Sequence, residues 1–61
     1  MNAGTDYKKA RAQAQANANQ DGKPRVLSMY GGIFWVDRLD SFTARIPEGA
    51  EIVQPEEEKQ A

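Results

Sequence analysis

The chain has 61 residues, 39% hydrophobic and 28% charged, with a net charge of −1, which fits one domain near the lower size limit for an independent core. It contains no Cys and no His, excluding disulfide staples, thiolate or imidazole metal sites and the commonest general acid or base. Near-neutral charge gives no bulk attraction to nucleic acid or anionic lipid, and the longest unbroken apolar run, Ile33 to Val36, falls far short of the roughly 18 residues of a membrane span.

Residues 1–5 carry no ordering signal and are read as a flexible lead-in without the apolar stretch of a secretory leader. With Met1 in first place, the chain is read as a small, complete gene product made for the cytoplasm. The next stretch, "ARAQAQANANQ", sets Ala against Arg, Gln or Asn in strict alternation. That is the period of a strand written in residues that favour a helix. Propensity decides it: Ala, Gln, Lys and Arg form helices well, Ala is depleted in strands, and no β-branched residue occurs from Asp6 to Gly22. The expected helix spans 6–20, capped by Thr5, with Asp6 in its first turn and Gly22 and Pro24 as the stop. Tyr7, Ala10, Ala14 and Ala18 share its core face, with Arg11 and Asn17 on the borders and Ala12 and Ala16 elsewhere. A disordered linker is the alternative reading of the Ala/Gln/Asn run.

"RVLSMYGGIFWVDRL" joins two apolar runs through Gly31-Gly32, a pair suited to the positive φ of a tight hairpin turn. Strands are expected at about 25–30 and 33–38, with Tyr30 opposite Ile33, Met29 opposite Phe34, Ser28 opposite Trp35 and Leu27 opposite Val36. One face then carries Leu27, Met29, Phe34 and Val36. The other carries Val26, Tyr30, Ile33 and Trp35. After a turn at 39–41, "FTARI" alternates as a third strand over 42–46, ended by Pro47. Ile52 and Val53 offer a short further extended piece, and 54–61 reads as a disordered acidic tail. The expected fold is α+β: one N-terminal helix on a small antiparallel three-stranded sheet, in the order α-β-β-β, within a single domain over 6–53.

A helix covers one face of such a sheet, and antiparallel sheets ordinarily turn a polar second face to water. Here that second face offers Tyr30, Ile33 and Trp35, the residue types of interaction surfaces. The chain is accordingly read as a non-catalytic protein-binding module, homodimeric or docked on another protein through Tyr30, Ile33, Trp35 and Val26, with Arg38 and Arg45 as a charged rim. The competing reading makes Trp35 the core, or folds Ile52-Val53 over the second face. A small bacterial, phage or plasmid product that acts by occupying another protein would have this size and composition.

The alternative function is single-stranded nucleic-acid binding, with Tyr30, Phe34 or Trp35 stacking on bases and Lys8, Lys9, Arg11, Lys23 and Arg25 on phosphates. Steep salt dependence separates it from apolar docking. Against it stand the absence of a dense basic stripe and the run Glu56, Glu57, Glu58, which would repel nucleic acid or pair with the helix. Asp37, Asp40, Glu48 and Glu51 lack the spacing of a calcium loop and an enclosure that would split their pKa values. They read as turn and solubility residues. No enzyme, cofactor, metal site, membrane partner or small-molecule substrate is expected.

Overall fold

Asp6 accepts hydrogen bonds on its carboxylate from the backbone N–H groups of Lys8 (2.9 Å) and Lys9 (3.3 Å), and so starts helix α1, Tyr7–Asp21. The cap is thus Asp6 and not Thr5. Its acceptor meets two of the donors that a helix start leaves open. The helix stops where Gly22, at φ 71°, donates its N–H to Ala18 O, a left-handed turn that glycine adopts without a Cβ penalty. The structure is a computed structural model and describes residues 1–43 and 45–56.

Strands β1, Arg25–Tyr30, and β2, Ile33–Arg38, pair antiparallel in the expected register, with Leu27 opposite Val36 and Tyr30 opposite Ile33. Gly31 and Gly32 take φ of 63° and 77°, the two positive values that match the turn to the twist of its strands. A short 3-10 turn over Leu39–Ser41 follows, and β3, Glu51–Val53, completes a sheet of order β2-β1-β3. The α+β fold of one helix and three antiparallel strands is therefore the one anticipated.

The third strand lies elsewhere than 42–46. Residues 42, 43, 45 and 46 are not in a strand, and Ala44 lies outside the described residues. A meander strand there would pair with the outer edge of β2, and that edge is already occupied. Ala3 N–H donates to Phe34 O (2.8 Å), Phe34 N–H to Gly4 O (2.8 Å) and Val36 N–H to Met1 O (2.9 Å). Residues 1–4, expected to be flexible, are thus tied to the sheet. The chain instead leaves past the start of β1, where Leu39 N–H donates to Pro24 O at 3.2 Å. It returns on the far side, pairing Arg25 with Val53 and Leu27 with Glu51.

Helix α1 lies on the Leu27 face: Ala10 and Ala14 pack with Leu27, Val36 and Val53, flanked by Ala3 and Phe34. Ala10, Ala14 and Ala18 are all completely buried, as their four-residue spacing requires. The core is thin, Val26 and Val53 being the largest fully buried side chains. Small helix residues bring backbone close to sheet but contribute little apolar area.

Candidate protein-docking surface

Among the described residues, the hairpin tip carries the two most exposed of the large apolar side chains. Tyr30 is 81% exposed on one face of the sheet and Met29 61% exposed on the other. Ile33 and Trp35 are half-buried beside Tyr30. Trp35 donates its indole N–H to Tyr30 O at 3.2 Å, which satisfies its polar atom and braces the strand end that presents Tyr30. The run "VLSMYGGIFWV", Val26 to Val36, contains no charged residue, so the tip offers a partner apolar contact without an ionic component.

Met29 was expected inside, on the Leu27 face. It lies on that face directly opposite Phe34, whose ring Tyr7, the first residue of α1, meets edge-on, with ring centroids 5.7 Å apart at 63°, and Met29 is left 61% exposed beside that pair. Val26 is completely buried and so supports the second face from within instead of offering a contact. Arg38 stands at the opposite end of β2 from the tip, about 16 Å from Ile33 at the usual strand rise, on the Phe34–Val36 side. It donates to Asp40 at 2.9 Å. Arg45 is exposed in the β2–β3 connection. The structure thus brings Tyr30, Ile33 and Trp35 together and leaves Val26 and Arg38 outside that group.

The five cations of the nucleic-acid alternative are not gathered. Lys8, Lys9 and Lys23 are exposed, with Lys23 beyond the far end of a 15-residue helix, about 22 Å from Lys8 at 1.5 Å per residue. Arg11 donates to Glu51 at 2.9 Å. Arg25 grips Asp21 with two bonds, Nη1 to Oδ1 at 3.0 Å and Nη2 to Oδ2 at 3.1 Å. The Arg25 bonds hold the Asp21 carboxyl below its ordinary range. Those two arginines are spent inside the fold.

Three of the four acids singled out above, Asp37, Asp40 and Glu51, are also in structural use. Asp40 accepts from Arg38, and Asp37 accepts from Met1 N at 3.2 Å. Glu51 accepts from Tyr7 Oη at 2.7 Å and from Arg11 Nε at 2.9 Å. The Tyr7 bond, with Arg11 beside it, lowers the Glu51 carboxyl, and Glu51 in turn raises the Tyr7 phenol. Among the described residues no three acids converge on a point where a metal could sit. No helix among them is long and apolar enough to cross a membrane.

One arrangement escaped the sequence reading. Tyr7, Arg11, Gln15 and Asn19 recur every four residues and form one line of contacts with the C-terminal segment. Beyond the two bonds to Glu51, Gln15 Nε2 donates to Gln54 O at 2.8 Å. Asn19 receives Glu56 N–H on Oδ1 at 2.7 Å and donates Nδ2 to Glu56 Oε1 at 3.1 Å. Residues 54–56, expected to begin a disordered tail, are therefore strapped along the helix, and 57–61 lie outside the described residues. The signal was present in the alternation itself: Ala10, Ala14 and Ala18 face inward, and the polar residue after each lies on the neighbouring stripe.

Comparison with known protein families, with curated proteins and with solved structures finds no match to this chain.

Proposed function

We propose that this chain is a small non-catalytic protein-binding module of the cytoplasm that docks another protein, or a second copy of itself, through the hairpin tip. Tyr30 is the central anchor, with Ile33 and Trp35 beside it on the same face and Met29 on the opposite one. The carrying observation is the exposure of Tyr30 and Met29, 81% and 61%, on opposite faces of a turn braced by two glycines and the Trp35 bond. Tyr and Trp in rigid, uncharged settings supply contact area with little entropy to lose. A Cys-free composition is compatible with the reducing cytoplasm.

A photo-crosslinking residue placed at Tyr30, compared in cells with the same residue at exposed Gln13, tests the reading. Discrete protein adducts from position 30 and none from position 13 support it. Equal adducts from both positions, or none from position 30, overturn it.

A further inference from the structure

We propose that β3 and the strap after it act as a removable cap on the edge of β1, and that the partner which takes their place is a second copy's β1. Backbone direction comes first. Phe34 and Val36 bond outward to residues 1–4, so Ile33, Trp35 and Asp37 bond inward to Tyr30, Ser28 and Val26. The N–H and C=O groups of Arg25, Leu27 and Met29 therefore point to the other edge. β3 covers Arg25 and Leu27 and ends there, because the turn that bonds Ala50 N–H to Pro47 O leads the chain away. Met29, 61% exposed, is left with an open edge.

The cap is short. It has three residues in the ladder, one fully buried side chain, Val53, and side-chain bonds to Tyr7, Arg11, Gln15 and Asn19, most of them exposed. Short, covered edges are how sheets avoid joining one another. While β3 is in place, a second β1 that reached for Met29 would collide with Glu51. Once it lifts, an antiparallel two-fold through Ser28 sets Leu27 against Met29 of the second copy and buries the exposed thioether beside the core. Arg25 then falls opposite a glycine, Gly31, and Ser28 faces its own counterpart. With no charge from Val26 to Val36, the strand meets its copy without like-charge opposition, which favours self-pairing. The inference uses backbone edges and does not depend on the Tyr30 contact proposed above.

The test introduces one cysteine into the Cys-free chain. Ser28→Cys and, as control, exposed Ser41→Cys are oxidised by oxidised glutathione, two thiols giving one intermolecular disulfide and two reduced glutathiones. At a two-fold, Ser28 forms a non-hydrogen-bonded pair, with Cα atoms about 4.5 Å apart, within disulfide reach. The expected result is faster dimer formation by Ser28→Cys than by the control. Adding Gln15→Ala and Asn19→Ala, which loosen the strap, should accelerate it about tenfold. Adding Met29→Pro, which removes the outward N–H together with the thioether, should slow it to the control rate. Equal rates for the two cysteine variants, or an Ser28→Cys rate indifferent to Met29→Pro, overturn the proposal. Should the loosened variant lose its fold by circular dichroism, the Met29→Pro comparison in the unloosened chain decides alone.

Discussion

Tyr7 donates its phenolic hydrogen to Glu51 at 2.7 Å, joining the first helical residue to the first residue of β3 across 44 positions of sequence. Arg11 completes the junction from the next helical turn. Removing the acceptor is expected to cost stability: Glu51→Ala should lower the unfolding free energy by about 1 kcal/mol, the scale of exposed charge-assisted bonds. It should also release residues 54–56, seen as faster amide exchange at Glu56. A Glu56 amide unchanged in Glu51→Ala would show that Gln15 and Asn19 hold the strap alone.

The pH dependence follows from the same contacts. Glu51 and Asp21 titrate below their ordinary values in the folded chain. Their contribution is complete above the usual carboxylate range and is lost as pH falls through that range to the depressed values. Tyr7 is raised, so its contribution is present below the usual phenol range and disappears as pH climbs past it. Urea midpoints should therefore drop on both flanks. Glu51→Gln should flatten the acid flank, and Tyr7→Phe should flatten the alkaline one.

At the hairpin turn the constraint is conformational and nothing else. Gly31 and Gly32 have positive φ, and a Cβ at either would meet no atom within 4 Å. L-Ala at either position should cost roughly 1–2 kcal/mol. D-Ala in a synthetic chain should be neutral or stabilising by about 0.4–1 kcal/mol, because it restricts the unfolded state alone. A penalty for D-Ala would reveal a steric contact at the tip.

Alternate alanines of the helix should respond in opposite ways. Ala14 is fully buried against the sheet, so Ala14→Leu should overpack and destabilise by about 1–3 kcal/mol. Ala16 is exposed, and Ala16→Leu should change the melting free energy by no more than about 0.5 kcal/mol. Equal effects would mean that the helix rolls to accommodate the larger residue.

Tyr30 and Trp35 should separate docking from folding. With 81% of Tyr30 in water, Tyr30→Ala should leave stability within about 0.5 kcal/mol while removing the adducts formed by a crosslinker placed at Ile33, directly opposite it. Trp35 is half-buried and hydrogen-bonded to Tyr30 O, so Trp35→Phe should cost about 1 kcal/mol and loosen the strand end as well.

The helix and hairpin were legible in the sequence because their determinants are local: Ala spacing, the Gly22 stop and the Gly31-Gly32 turn. The side of the sheet that meets α1 was not decided by pattern, since Leu27 and Val26 head equally apolar stripes. The third strand was misplaced for a non-local reason. Phe42, Thr43 and Ile46 alternate as a strand should, but the edge they would need belongs to Met1–Gly4, and no local feature of "MNAGT" announces that. Of the docking group, Tyr30, Ile33 and Trp35 followed from alternation. Met29 did not, because alternation places it on the face that meets α1, and its exposure there is set by tertiary packing beside the Tyr7–Phe34 pair.

The Gly31-Gly32 turn also sets an order of events. A two-residue hairpin closes within microseconds, whereas residues 1–4 reach β2, and Glu51 reaches Tyr7, only across separations of 30 or more positions, and closing such loops is entropically costly. Hairpin and nascent helix must meet before either border of the sheet has anything to join. Both borders are thus written late in folding: substitutions at Ala3 or Val53 should speed unfolding, and those at the turn should slow folding.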